Sequence, residues 1–417
     1  MSRQRMLSPF HDQRGIALPV AMMVLVLLTS LIAAFVSMSA TEPLITANLK
    51  AGNEALSLAE AGIDRALWGL GNPVAPAGGQ LSNNPPPAAP YQAPYDGSQL
   101  IAFGRGGYTM SITAPPVPGG TWACVAQPFG SDDRCVVATG YVVRPSAPVP
   151  AAPGAIPQAD LAGQRMLQVA LTKFRNLDPP GPLNVAGSVQ MKGSSSVNGA
   201  TPQNCAPGTV KAGVTVTTGN TITTQGAAQI VGSPDQQYVD PSVFNQSVFT
   251  NKELGFLKQM AQSGQPNMHY VKPTSNGQIN LDMTNMNGLV FVDLVDGVSL
   301  PVPPATPQPS DLASVKITGM NNQGWIVIMG SLTLDGNLDY SGLVYALNDI
   351  SYRGTGAGMI HGALISTNIL DTVATVVDTD TLGNANVTYD CAAIANGGGF
   401  IPQGYYVAPG SWREASN

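Results

Sequence analysis

The chain has 417 residues, of which 46 are Gly and 35 Pro; 44% are hydrophobic and only 11% charged. This density of backbone punctuators disfavours a helix-rich enzyme, and the low charge argues against a polyelectrolyte-like disordered chain, so a packed, strand-and-turn-rich protein of two or three domains is expected. A formal charge of −6, with basic residues scattered beyond the first positions, gives no electrostatic footprint for nucleic acid.

Arg3, Arg5 and Arg14 precede Gly15, and no residue from Ile16 to Thr41 is charged. That run is longer than the roughly 20 residues a helix needs to cross a bilayer. The positive charges before it keep that end cytoplasmic and place everything from Glu42 onward outside the inner membrane. A secretory signal would have an apolar region of about 7–15 residues and a small-x-small cleavage site. Here the run is too long, and Met38-Ser39-Ala40 has Met where a small residue belongs. A plain single-pass anchor fits the span but explains less of the flanking text.

The text QRGIALPVAMMVLVLL, followed by TEPLITANLKAGNEALSLAEAGIDRAL, resembles the N-terminal region of PilX-type type IV minor pilins and related pseudopilins over about residues 13–70. The resemblance implies a basic leader, residues 1–15, that a prepilin peptidase removes on the cytoplasmic side. Gly15 and Ile16 match the cleavage pair, the new N-terminus would be methylated, and Glu60 matches the family's Ala-Glu-Ala text. Major pilins carry Glu at the fifth position after the cut; this chain has Val20, so the charge pairing attributed to that Glu cannot occur. The departure points to a minor subunit. Its implied partners are the inner membrane, the prepilin peptidase, other pilins and pilus assembly proteins, and its implied place is the pilus surface or tip.

Residues 16–70 read as one helix, hydrophobic and then amphipathic, about 80 Å long at 1.5 Å per residue. Ile45, Leu49, Leu56, Ala59, Ile63, Leu67 and Leu70 recur at helical spacing and predict a face packed on a sheet, with a kink at Pro43. Residues 71–98 form a linker too rich in Pro, Gly and Asn for a regular element. The runs GRGGYTMSITAPP, GTWACVAQP, DRCVVATGYVV and GQRMLQVALTKF then alternate as an antiparallel meander, so that 71–178 becomes a pilin-like β domain with a Pro-rich loop at 145–157. Tyr108, Met110 and Ile112 share one face of it.

Cys124, Cys135, Cys205 and Cys391 include no C-x-x-C pair and no His at ligand spacing, so no metal site is expected. Cys124 and Cys135 lie near each other in strand-like text and are paired first, which leaves Cys205 with Cys391; four buried thiols are the alternative, decided by compartment.

From 179 to 417 the text is periodic. Gly181, Gly187, Gly193 and Gly199 are six apart; so are Gly324, Gly330, Gly336 and Gly342, with Asn348 and Gly354 continuing the series. Two residues after successive members of the second series come Ile326, Leu332, Leu338, Val344 and Ile350, and two further on Ile328, Leu334, Tyr340, Ala346 and Tyr352. Such hexads predict a β-helix-like solenoid, about 18 residues per coil, turning at Gly or Asn with these residues inward. A helical insert is expected at about 233–287, where Asp240-Pro241 and Thr250 or Asn251 start helices and Gly264 stops one. The fold class is therefore α+β, mostly β.

No catalytic constellation stands out. His269 and His361 lack a positioned nucleophile, and GTGAGM at 354–359 has Met359 where a dinucleotide fingerprint needs Gly. Because β-helices include polysaccharide-cleaving enzymes that use carboxylate clusters, Asp335, Asp339, Asp349, Asp378 and Asp380 are weighed, chiefly as solvated edge residues. The sequence thus reads as a minor pilin-like structural subunit, not an enzyme and without cofactor. The alternative is a membrane-anchored periplasmic β-helix enzyme acting on polysaccharide.

Overall fold

A computed structural model describes residues 17–71, 91, 93–114, 124, 133–147, 158–173, 177–283, 286–297, 307–356, 358–370, 378–399, 404–408 and 410–415. Gly15 and Ile16, most of the linker, most of the loop at 145–157, and the run GTWACVAQP apart from Cys124 lie outside them. The chain forms two compact units, residues 1–173 with 405–417, and residues 174–404.

The first unit opens with α1 (Ala17–Gly71), which is continuous through Pro43 as a helical element. Its sheet runs in the order β1 (Ile101–Phe103), β2 (Gly106–Thr113), β3 (Arg134–Val143) and β4 (Leu161–Lys173), all antiparallel. Period-two alternation sends Tyr108, Met110 and Ile112 of β2, Val136 and Ala138 of β3, and Leu167, Val169 and Leu171 of β4 to one face. That face packs on Ala59, Ile63 and Ala66 of α1. On the other face a Cys124–Cys135 disulfide packs with Ala170 and Ala408.

The second unit is a parallel β-solenoid with three faces. One coil comprises β5 (Leu183–Val185), β6 (Val189–Gly193) and β7 (Ser196–Gln203), and the next comprises β8 (Val214–Thr217), β9 (Ile222–Gly226) and β10 (Gln229–Val231). β11 (Gln236–Val239) adds to the first face alone. After α2 (Pro241–Phe244) and α3 (Asn251–Gln262) come β12 (Met268–Val271), β13 (Gln278–Leu281) and β14 (Gly288–Val292). β15 (Ala313–Ile328) and β16 (Gly330–Ala346) each bend round all three faces; β17 (Ile350–Gly354), β18 (Met359–Ser366), β19 (Thr379–Gly383) and β20 (Asn386–Asp390) finish the winding.

The hexad glycines are the corners. Gly324 pairs with Gly342, 18 residues on, and Gly342 with Gly362. Gly288, Gly324 and Gly362 hold φ of +97°, +141° and +145°, and a Cβ on Gly324 would collide with the Gly288 carbonyl oxygen, so this column needs Gly. All ten residues that the second hexad series sends inward lie in one core with Leu183, Val185, Val189, Met191 and Val197.

Two features depart from the sequence reading. The coils do not stack in chain order: β5, β6 and β7 pair with β18, β19 and β20, so the first coils in sequence extend the stack beyond the last. The segment with α2 and α3 is the return path between the two ends of the solenoid, capped as expected by Asp240 and by a Thr250–Glu253 capping box. Phe249 lies 5.5 Å from Trp325 and 5.1 Å from Tyr345, ring to ring. Tyr345, outward by alternation, is therefore buried beneath it.

The junction of the non-consecutive coils is fastened by the Cys205–Cys391 disulfide, by Asn204 donating to Asp390 at 2.7 Å and by Tyr389 donating to Asp178 at 2.9 Å. α4 (Cys391–Asn396) starts there, with Asp390 as its N-cap, and its Ile394 carbonyl accepts from Trp325 Nε1 at 3.0 Å. The chain end then leaves the solenoid text: β21 (Tyr405–Val407) and β22 (Arg413–Ala415) pair antiparallel with β4, a return that the hexad pattern did not anticipate.

Candidate functional site: the N-terminal helix

α1 lives in two environments. From Leu18 to Lys50 every described side chain is exposed, including Leu18, Met22, Leu25, Leu28, Leu31, Phe35 and Met38. At 1.5 Å per residue the uncharged part, Ala17 to Thr41, spans about 37 Å, more than the ~30 Å hydrocarbon layer of a bilayer. The helix is long and apolar enough to cross a membrane. Exposed large apolar side chains in such number are unfavourable in water at ~25 cal/mol per Å², so this half needs lipid or apolar protein around it. Val20 sits here, about half exposed. Thr29 and Ser30 turn their hydroxyls back to carbonyls of the preceding turn, satisfying those donors within the helix.

From Ala51 the helix acquires a buried stripe, Ala51, Ala55, Ala59, Ile63 and Ala66, at steps of three and four. Of the residues singled out by spacing, Ala59 and Ile63 are fully buried and Leu56, Leu67 and Leu70 half-buried, but Ile45 and Leu49 are exposed. Ala51, Ala55 and Ala66 complete the stripe and leave no mark in the spacing of the larger apolar residues. The small residues are needed because the sheet comes very close: a Cβ on Gly140 would strike the Ala55 carbonyl oxygen, and one on Gly163 or Gly62 would crowd Ala51 or Ala138. Glu54, Glu60 and Asp64 lie on the exposed side. Arg165 of β4 lies beside Gly52 and is paired with Glu414 of β22 at 2.6 Å.

The residues weighed for catalysis are only partly brought together. Asp335 pairs with Lys316 at 2.8 Å, which holds its carboxyl below the usual range, and stacks beside Arg353. Asp339 lies on a different face of the solenoid. Ile350 pairs with Thr379 and Ser351 with Asp380, so Asp349 and Asp378 occupy neighbouring rungs at one corner, with Asp380 two residues on. Burial first and the Asp378 charge second push Asp349 up to about 6. Asp378 accepts from the Ser188 N–H at 2.6 Å. His269 meets the Asn287 carbonyl at 3.2 Å, and His361 lies at another face. No group of three or more His, Cys, Asp or Glu placed to hold a metal occurs among the described residues.

No family model matches the chain, and no curated protein matches it. Among solved structures it is similar to the competence-associated pilin ComZ from Thermus thermophilus, at 11% identity and a TM-score of 0.21, covering 87% of this chain and 97% of that one. A similarity of that size carries no structural conclusion.

Proposed function

We propose that this chain is a minor pilin-like subunit: stored in the inner membrane through α1, cut by a prepilin peptidase between Gly15 and Ile16, and incorporated into a type IV pilus or related filament with its β-rich units displayed at the surface or tip. The observation that carries this reading is the division of α1, with an uncharged exposed segment followed without a break by a segment clasped to an antiparallel sheet. Lipid can surround the first segment in storage, and the helices of neighbouring subunits can do so in a filament. Support also comes from the leader text around Gly15 and from Val20, whose apolar side chain would suit an initiating or capping subunit better than one docked repeatedly through a buried charge. The protein's role is then structural, in pilus assembly and adhesion, with other pilins and assembly proteins as partners.

Replacing Gly15 by Leu tests the reading. Uncut precursor should accumulate in the inner membrane and the subunit should vanish from sheared filaments. Unchanged incorporation would overturn it.

A further inference from the structure

Among the described residues one end of the solenoid is left open. β9 and β10 are the last strands on their faces, whereas β11 adds one more strand to the remaining face, so the end is stepped. Val189 N–H donates to the Thr221 carbonyl, which turns Thr221 toward β6; by the alternation of a parallel ladder Ile222 and Thr224 then point their N–H and C=O groups away from the stack. No strand of the described residues pairs with those edges. Thr223, Thr224, Gln225, Gln229 and Val231 are exposed, Tyr238 of β11 is 49% exposed, and the core residues Ile222 and Ile230 are only partly covered.

Strand edges in water are ordinarily protected by charges, prolines or bulges. The strands themselves carry none of the first: from Gly213 to Pro234 no residue is charged, and β11 is uncharged between Asp235 and Asp240, whose carboxylates accept from the Gly232 and Ser242 N–H groups. A two-fold contact requires a patch that tolerates its own image. An uncharged Thr- and Gln-rich edge does, and the step makes it self-complementary, because the extra strand of each copy finds its missing level on the other. β9 has five residues and β11 four, so the two can pair along the whole of β11.

We propose that a second copy of this chain docks on this end, with β11 of each copy lying antiparallel beside β9 of the other. The contact is heteronomous in strands yet closed by the two-fold, so it produces a dimer and not a fibre.

Hydrogen exchange on the full chain in detergent, across a protein concentration series, tests this. The amides of Ile222, Thr224 and Tyr238 should slow at least tenfold as concentration rises, while those of β16 stay constant. Tyr238→Lys sets two ammonium groups at the joined ends and should abolish the concentration dependence; Thr224→Pro, which removes an edge donor, should do the same. Unchanged protection of β16 in either variant shows that it has folded. Association through α1 would raise the particle mass without slowing the β9 amides, and that result, or exchange independent of concentration, would overturn the proposal. Slowing that appears only when a different protein is added would overturn it equally.

Discussion

The two units use glycine and alternation differently. In the antiparallel sheet one face is buried against a helix, and glycine serves approach: Gly140 and Gly163 let the α1 backbone settle onto β3 and β4. In the solenoid the core is enclosed by the coil itself, and glycine serves direction: Gly324 turns the chain at a positive φ where the backbone of the next coil leaves no room for a side chain. The first need is one of space alone, met by alanine along α1 and by glycine where the strand backbone touches the helix. The second excludes every L-residue with a Cβ, so substitutions should separate the two.

The largest effect is expected at a solenoid corner. Gly324→Ala combines a left-handed backbone at φ +141° with a collision against Gly288, and should destabilise the unit by more than about 3 kcal/mol. Gly319→Ala, at φ +68° with its nearest neighbour 4.0 Å from the new Cβ, should lose only ~1–2 kcal/mol. Equal shifts in denaturant midpoint would mean that the corner geometry is not the constraint.

Next come the walls. Leu338→Ala should cost about 2–5 kcal/mol and Tyr345→Ala about 3–5, although the two differ in side by alternation, because Phe249 closes over the outer one. Thr333→Ala, partly exposed on the outer side of β16, should stay within ~0.5 kcal/mol. A near-neutral Tyr345→Ala would remove the return segment from its assigned path.

Gly140→Ala should be milder than the corner substitution, about 1–3 kcal/mol, since Gly140 needs no positive φ and α1 can move off the sheet as one rod by the ångström or so that the new Cβ requires. It should also weaken the protection of α1 amides beyond Ala51 in hydrogen exchange, leaving the solenoid untouched.

The smallest effect is electrostatic. Asp349 in the folded chain titrates at about 6, above the ordinary carboxylate value near 3.9, so the folded state holds its proton more tightly than the unfolded one. Its contribution is fully present below about pH 4 and lost as pH rises through 6. Asp349→Asn should therefore gain on the order of 1 kcal/mol over the parent at pH 7, discounted for partial solvent access, and nothing near pH 4. A constant difference across that range would mean that burial at this corner, with the Asp378 charge beside it, does not hold the proton on Asp349.

The hexads made the solenoid legible because each short face repeats the same local instruction, a corner Gly followed by two inward residues. Leu332, Leu338 and Tyr352 could be assigned from their positions alone. The stacking order was not legible: β18 and β5 carry the same instruction as consecutive coils, and nothing in either run says that the chain between them lies elsewhere. The burial of Tyr345 was not legible for a related reason, since it is decided by Phe249, 96 residues earlier. On α1 the exposed apolar half was plain from the absence of charge, whereas the buried stripe hid in alanines that any helix could carry.

The central claim is that α1 begins at a processed end and belongs to a filament. Mass spectrometry of the N-terminal peptide, taken from sheared surface filaments and from the membrane fraction, tests it most directly. The account predicts a peptide starting at Ile16 and bearing one N-terminal methyl group in the filament fraction, with leader-bearing precursor confined to the membrane. A chain that keeps Met1 in every fraction, or one cut after Ala40, would contradict it.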